Sequence, residues 1–232
     1  DFSWAYFNER GFTYPNLIPF MESHDEERLM VKNLEFGNST SGYDVQDLST
    51  ALSRQSAVAP LFFMVPGPKM IWQFGELGYD YSINYCPDGT ISEDCRTSKK
   101  PVRWDYFSDL ERQTIYKTFA AMAQLKTSQQ AFIYGNYGKD LGGMVKRAWV
   151  SHSSLNVCAA TNFDVVSHTV NPGFQHTGTW VNYFTGETLQ ADANTTIELQ
   201  PGEFYVFTDQ NLGRPFVNLT VKVIREEDQT PI

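Results

Sequence analysis

The sequence predicts an α/β region followed by an all-β region. In the first half, short apolar runs at residues 17–21 and 70–74 alternate with stretches of helical periodicity. A continuous apolar run indicates a strand buried on both faces, as in parallel sheets. From Ile133 onward, short alternating runs are separated by turn residues, which is typical of antiparallel sheets. We therefore expect an α/β part at residues 1–128, an antiparallel β-sandwich at 129–209, and a linker or the start of a further module at 210–232.

The composition is that of a globular protein with many aromatic residues. The chain has 232 residues, 15% of them aromatic, and a formal net charge of −9. An acidic chain without a basic stripe argues against a nucleic-acid partner. No apolar run is long enough for a transmembrane segment. Aromatic side chains fit sugar binding, because rings pack against pyranose faces, but they fit a large core equally well.

The first predicted helix follows a polar loop at residues 32–43. From Leu48 to Ala59, apolar side chains recur at three- and four-residue spacing, which predicts one buried helix face. Asp44 or Asp47 is placed to cap its N-terminus. Pro60 is expected to kink or end the helix, because it lacks a backbone N–H group.

The second predicted helix follows a long connection at residues 75–106. Ser108 and Glu111 have the spacing of a capping box, for a helix that runs to about Lys126. The connection has little regular pattern, and loops of that length in compact domains are usually functional or disordered. Its aromatic residues favour a surface that faces a glycan. In the second half of the chain, strands are predicted at 144–150, 155–162, 179–184, 195–199 and 204–208.

Residues 16–30 carry the strongest functional signal in the chain. The apolar run at 17–21 is followed at once by a dense set of ionisable side chains. Charged groups at the end of a buried strand are where α/β barrels place their catalytic residues. The alternative is a solvated loop after a core strand. The ionisable residues of this segment are Glu22, His24, Asp25, Glu26, Glu27 and Arg28.

Three segments, in the same order along the chain, resemble signatures of the alpha-amylase family, glycoside hydrolase family 13. FMESHD at residues 20–25 resembles F-x-x-N-H-D, with Ser23 where the family commonly has Asn. VPGPKMIWQFGE at 65–76 resembles the P-G-x-P-x-[IL]-[YF]-x-G-x-E pattern of the family's last barrel strand. KPVRWD at 100–105 resembles the segment that precedes the last barrel helix. The resemblance implies a fold and a set of site residues.

The implied fold is a partial (β/α)8 TIM barrel followed by the family's C-terminal β-domain. Residues 17–21 and 70–74 would be the last two of the eight barrel strands, and the first six would lie upstream of Asp1. A complete barrel needs roughly 250 residues. The rest of the barrel is therefore an expected partner of this chain.

The resemblance also assigns roles to individual side chains. Asp25 would stabilise the transition state as an acceptor for sugar hydroxyls, and His24 would donate a hydrogen bond to the same sugar. The nucleophile and the general acid of the family come from strands that this chain lacks, so we expect it to be inactive alone. For Arg28 we expect an ion pair with Glu22, Glu26 or Asp25 first, and a substrate contact second. Two further candidates for substrate binding are the rings of Tyr79 and Trp104.

The three cysteines predict one disulfide. Cys86 and Cys95 bracket a polar loop and could close it, whereas no histidine lies near them at the spacing of a metal site. Cys158 lies in an apolar strand pattern and is predicted to be a buried thiol. A disulfide implies an oxidising compartment, so we expect a secreted or cell-surface protein. Calcium is common in the family, but its usual ligands would lie upstream, and we assign no metal ligand here.

Three functional hypotheses follow. The first is part of a retaining hydrolase that cleaves α-1,4-glucosidic bonds in starch or glycogen. The second is a branching or glycosyl-transferring enzyme of the same family, because Ser23 before His24 and Asp25 is similar to branching enzymes. The third is a carbohydrate-binding module without catalysis, in which the β-domain and the aromatic loop hold a glycan.

Overall fold

The computed structural model describes residues 2–215, which form a helical region followed by an antiparallel β region. The predicted linker or further module at 210–232 lies mostly outside these residues. Four α-helices occur in the described part of the chain, two of them long. Their bounds are Leu29–Phe36 (α1), Leu48–Met64 (α2), Leu110–Ser128 (α3) and Ala131–Tyr134 (α4).

Helix α2 begins where the sequence predicts and extends further. Asp47 is the N-cap, and its side chain accepts a hydrogen bond from the Thr50 backbone N–H at 3.0 Å. The expectation that Pro60 could end the helix is wrong, because α2 continues to Met64. Most of the helix is buried against α3 and the β region. Tertiary packing therefore outweighs the one backbone hydrogen bond that proline removes.

Helix α3 is capped one residue later than predicted. The Asp109 carboxylate, not Ser108, accepts hydrogen bonds from the backbone N–H groups of Glu111 at 2.8 Å and Arg112 at 3.2 Å. A carboxylate at the positive end of the helix dipole is a better acceptor than a hydroxyl. The helix ends at Ser128, close to the predicted end at Lys126.

Helix α1 occupies residues 32–36 of the predicted polar loop at residues 32–43. The loop prediction is wrong for residues 32–36, because the helix runs from Leu29 to Phe36 with Met30 and Val31 buried. A short hairpin follows, formed by β1 at Ser39–Thr40 and β2 at Tyr43–Asp44. The glycines and hydroxyl side chains that suggested a loop thus belong to the hairpin.

The β region contains two antiparallel sheets. The larger has six strands in the order β3-β4-β5-β10-β7-β8, and the smaller pairs β6 with β9. All five predicted strands are present, four with shifted ends and β10 with the predicted ends, and three more were not predicted. Strand β3 has a polar sequence, NYGKD, and its pairing with β4 defines it. The strands are Asn136–Asp140 (β3), Val145–Ser151 (β4), Val157–Asn162 (β5), His168–Val170 (β6), Gly178–Asn182 (β7), Thr188–Ala191 (β8), Ile197–Leu199 (β9) and Phe204–Thr208 (β10).

Neither predicted buried strand is present; we call residues 17–21 and 70–74 the two extended segments, and the second ends in a turn at Gln73 and Phe74, where Phe74 has a φ of 57°. The two segments run side by side in the same direction, since the Met70 N–H donates to the Pro19 carbonyl at 3.1 Å and Gly75 lies against Glu22. Ile18 is 58% exposed, so burial on both faces is also wrong. A central strand needs hydrogen-bonded neighbours on both sides. Within residues 2–215, no strand pairs with either of these two segments.

One apolar core joins the helices to the larger sheet. Side chains of α2 and α3 pack with those of β4, β5 and β10 in a single buried cluster. Two buried hydrogen bonds cross the same interface, from Thr161 Oγ1 to the Ala57 carbonyl at 3.1 Å and from the Tyr183 hydroxyl to the Ala121 carbonyl at 3.3 Å. The extended segments and the charged loop after them are therefore attached to a well-packed scaffold.

Candidate functional site

A buried ion pair closes the charged loop at residues 22–28. The Arg28 guanidinium donates from Nη1 to Glu22 Oε1 at 2.6 Å, and both side chains are almost fully buried. Arg28 Nη2 also donates to the Gln73 carbonyl at 2.6 Å, which ties the loop to the second extended segment. Of the partners considered for Arg28, the structure thus gives Glu22. Both of these guanidinium hydrogen bonds are to protein atoms, and the Arg28 side chain also lines a cleft beside the loop.

Glu22 links this ion pair to helix α1. Its Oε2 accepts a hydrogen bond from the Leu29 N–H at 2.9 Å, at the first residue of the helix. Burial raises the pKa of the Glu22 carboxyl, while the Arg28 guanidinium and the Leu29 N–H act in the opposite direction. Gly75 is packed so closely that a Cβ at this position would lie 2.7 Å from Glu22 Oε1. The carboxylate is therefore enclosed on all sides by structural contacts.

His24 and Asp25 project from the middle of the loop into solvent. His24 Nε2 lies 3.2 Å from Asp25 Oδ2, and their side chains are 68% and 69% exposed. The buried Ser23 hydroxyl accepts a hydrogen bond from the Asp25 N–H at 3.1 Å. The Trp72 ring lies 5.5 Å from the His24 ring, between centroids. This pair is thus held by its backbone and is open to a ligand.

A cleft of about 410 Å³ borders the exposed pair. His24, Asp25 and Trp72 line one side, and residues 81–83 and 96–100 line the other. Arg96 Nη2 lies 4.0 Å from Asp25 Oδ1 and donates a short hydrogen bond to the Asp25 carbonyl. Asp25 is the only carboxylate among the described residues that line this cleft.

The far side of the cleft is a loop closed by a disulfide. We call residues 82–100 the disulfide loop, because Cys86 and Cys95, the predicted pair, are bonded within it. The Lys100 ammonium donates to the carbonyls of Tyr85, Cys95 and Ser98 at 2.6–3.1 Å. These bonds hold the two halves of the loop together.

Glu27 fastens the disulfide loop to the charged loop. Its carboxylate accepts hydrogen bonds from the Ser82 hydroxyl and from the Ile83 N–H at 3.0 Å. It also accepts from the Arg28 N–H at 2.8 Å. The two walls of the cleft are therefore connected at its base.

The two aromatic candidates lie in different environments. Tyr79 is 1% exposed, its ring lies under the Arg28 guanidinium at 4.5 Å, and its hydroxyl donates to the Pro101 carbonyl at 2.7 Å. It supports Arg28 and presents no free face to a sugar, which corrects the expected substrate contact. Trp104 is 75% exposed and packs by its edge on Phe74, 4.9 Å away between centroids. Trp104 has a free ring but does not line the cleft.

A second cavity of about 380 Å³ is lined in part by Pro19, Phe20 and Met21 of the first extended segment. It is lined mainly by apolar and aromatic side chains, among them Trp4, Phe20, Val58 and Phe62. None of its described lining residues is a carboxylate. This apolar cavity therefore differs in chemistry from the cleft, whose described lining includes the Asp25 carboxylate.

The side chains that could act as metal ligands are those of histidine, cysteine and the acidic residues. Within residues 2–215, no three histidine, cysteine or acidic side chains converge as metal ligands would.

Cys158 is free and buried, as expected for a structural thiol. Residues 2–215 contain no helix with the length and apolarity needed to cross a bilayer.

The fold matches part of several solved enzyme structures. AmyP in complex with maltose aligns with a TM-score of 0.61 and 15% identity, covering 82% of this chain and 40% of that chain. An Anoxybacillus alpha-amylase aligns at 0.58 and 14%, covering 87% and 40%. The gamma-CGTase of an alkalophilic Bacillus clarkii aligns at 0.56 and 16%, covering 87% and 27%.

The chain spans between 22% and 43% of the structures that it resembles. No sequence-family profile and no curated protein matches it. At these identities the likeness is one of fold: residues 2–215 have the fold found in a portion of alpha-amylase-family structures, as the sequence motifs imply.

The sequence analysis missed the residues that build the walls of the cleft. Arg96 directly follows Cys95, so the predicted disulfide indicates that Arg96 lies in a constrained loop. No sequence pattern predicts the contact between Glu27 and Ser82, because it joins loops that are 55 positions apart. The cleft can bind a polar ligand at one exposed carboxylate, one imidazole and several cations.

Proposed function

We propose that this chain is the C-terminal part of a retaining glycoside hydrolase of the alpha-amylase family that cleaves α-1,4-glucosidic bonds in starch or glycogen. The observation that carries the proposal is the exposed His24–Asp25 pair, held at the rim of a cleft by the buried Glu22–Arg28 pair. The three ordered motifs and the fold likeness support the same family.

Asp25 is proposed as the transition-state stabiliser. A retaining glycosidase passes through an oxocarbenium-like transition state in which positive charge develops on the sugar ring. A carboxylate accepts hydrogen bonds from the sugar hydroxyls, and these bonds strengthen as that charge develops. His24 donates a hydrogen bond to the same sugar. Arg28 acts indirectly, because it anchors the loop that carries both side chains.

The nucleophile and the general acid are proposed to lie outside this chain. Those two carboxyl groups must be about 5–5.5 Å apart in a retaining enzyme. Near Asp25, Glu22 is buried against Arg28, and Glu27 is occupied by Ser82 and Ile83. The parallel course of residues 17–21 and 70–74 supports their assignment as the last two strands of a barrel completed by an upstream segment.

The remaining assignments follow from the family proposal. Residues 1–128 belong to the barrel, 129–209 to the C-terminal β-domain, and 210–232 to a linker or further module. The Cys86–Cys95 disulfide supports a secreted or cell-surface location. A calcium ion is proposed only for the longer protein, because the described residues offer no ligand cluster for it.

Product chromatography after incubation with amylose tests the proposal. This chain is compared with a longer chain that carries the complete barrel. We expect short oligosaccharides and new reducing ends from the longer chain only. Release of products by the short chain would contradict the assignment of the nucleophile and acid.

The same experiment separates the other hypotheses. Ser23 is the residue that favours a branching enzyme, and that activity would add branches without increasing the reducing ends. A carbohydrate-binding module would hold amylose without changing it, and neither chain would then release products.

A further inference from the structure

The proposed mechanism does not use Arg96, although it is the cation closest to the Asp25 carboxylate. Its Nη2 is 4.0 Å from Asp25 Oδ1, and the same nitrogen donates to the Asp25 backbone carbonyl. The guanidinium thus contacts both the side chain and the backbone of one residue. Arg28, the other arginine of the cleft, has its contacts with Glu22 and Gln73 instead.

The contact between Arg96 and Asp25 is open to solvent. The two side chains are 46% and 69% exposed. Exposed ion pairs contribute little to folding stability, because solvent screens them and the side chains lose entropy. The contact therefore contributes little to the free energy of folding. What it can influence is the orientation of Asp25.

Arg96 is held in place by the disulfide loop. It follows Cys95, which is bonded to Cys86, and the carbonyl of Cys95 accepts a hydrogen bond from the Lys100 ammonium at 2.6 Å. The loop is also fastened at its other end, where Ser82 and Ile83 donate to Glu27. Arg96 thus reaches Asp25 from a backbone with few ways to move.

We propose that Arg96 is a positioning residue, which the disulfide loop presents to Asp25 so that the carboxylate faces the sugar in the cleft. This inference rests on the proposed function of Asp25. Arg96 fixes the backbone of Asp25 through the carbonyl, and its Nη2 lies 4.0 Å from Oδ1, too far for a hydrogen bond, so this oxygen can accept from a sugar hydroxyl.

The test uses the longer chain that carries the complete barrel, with Arg96→Met, Arg96→Lys and Lys117→Met. Lys117 is exposed on α3, outside the cleft, and is the control for loss of one positive charge. For Arg96→Met we expect kcat on amylose to fall about tenfold, because small displacements of a catalytic group are costly, with KM changed less than about threefold. Arg96→Lys keeps a cation and a donor and should recover part of kcat.

A second readout separates positioning from folding and from substrate binding. The thermal midpoints of the three variants should stay close to that of the unsubstituted chain. A tenfold loss accompanied by a large fall in the midpoint would overturn the proposal in favour of a structural role. A rise in KM with unchanged kcat would overturn it in favour of a direct substrate contact.

The failure of this inference differs from the failure of the proposed function. If the unsubstituted longer chain hydrolyses amylose and Asp25→Asn abolishes the activity, but Arg96→Met retains full kcat, only the role of Arg96 is wrong. If the unsubstituted chain does not act on amylose, both proposals fall together.

Discussion

Two pairs of ionisable side chains lie within the same loop, at residues 22–28, and differ in burial and in the distance between the partners. Glu22 and Arg28 are 2.6 Å apart with side chains 6% and 2% exposed, whereas His24 and Asp25 are 3.2 Å apart and more than two-thirds exposed. The first pair closes the loop and the second projects from it. Burial is the difference that separates the structural pair from the pair that is free to bind a ligand.

The difference has a direct energetic meaning. Removing one partner of a buried pair leaves an uncompensated charge in the interior, which is costly. An exposed pair contributes little to stability, since water replaces either partner. The buried pair should thus be visible in unfolding experiments, and the exposed pair only in binding or catalysis.

The largest expected effect is on stability, in Glu22→Gln. We expect the free energy of unfolding of this chain to fall by about 3–5 kcal/mol, because Arg28 loses its counter-charge. Glu9→Gln is the matched control, since Glu9 also lies 2.6 Å from its partner, Lys139, but is 47% exposed. For the control we expect a loss below about 1 kcal/mol. Denaturant unfolding followed by fluorescence measures both. Equal losses would show that burial is not what distinguishes the pairs.

A smaller effect is expected on activity, in His24→Ala of the longer chain. Loss of one hydrogen bond to the sugar should lower kcat/KM about fivefold, equivalent to about 1 kcal/mol. His176→Ala is the control, because His176 Nε2 lies 3.1 Å from Asp209 Oδ2 in the β region, far along the chain from the cleft loops. Steady-state kinetics on amylose should show no change for the control. A similar fall in both variants would remove the special role of His24.

The smallest expected effect is a pH-dependent contribution of His176 to stability. The Thr177 carbonyl and then the Asp209 carboxylate raise the pKa of His176 above its usual value of about 6.5. A raised pKa stabilises the folded state below the unfolded pKa, and this stabilisation is lost as the pH rises through the folded pKa. Because the side chain is 44% exposed, we expect less than about 1 kcal/mol.

Unfolding of the unsubstituted chain and of His176→Ala at pH 5.5, 7 and 8.5 measures this contribution. The difference in unfolding free energy should be largest at the lowest pH and should shrink at the highest. A difference that is constant across the range would contradict the linkage of His176 to folding.

The sequence predicts the β region and the long helices well, because their signals are local. Strand β5 is a run of residues that are all buried, helix α2 buries the face that its periodicity predicts, and the partners of both lie within the chain. The extended segments at 17–21 and 70–74 are predicted less well. Their apolar runs indicate strands, but a strand also needs neighbours, and only one backbone hydrogen bond joins the two segments in residues 2–215.

The candidate site shows the same limit. The motif identifies His24 and Asp25, and the structure places both at the rim of a cleft. The motif does not reveal that Tyr79 is buried under Arg28, nor that Arg96 contacts Asp25. Those relations join residues more than 50 positions apart, and they depend on how the disulfide loop folds back on the charged loop.

The most direct test of the account is the rate of amylose hydrolysis by the longer chain with Asp25→Asn, beside Glu26→Gln. Glu26 is exposed and adjacent, so the control makes the same change from carboxylate to amide at the next residue. Losing a preorganised electrostatic partner typically lowers kcat by about 10²–10³. We expect that loss for Asp25→Asn with nearly unchanged stability, and near-normal kcat for Glu26→Gln. Near-normal turnover in Asp25→Asn would contradict the assignment of Asp25 as the transition-state carboxylate.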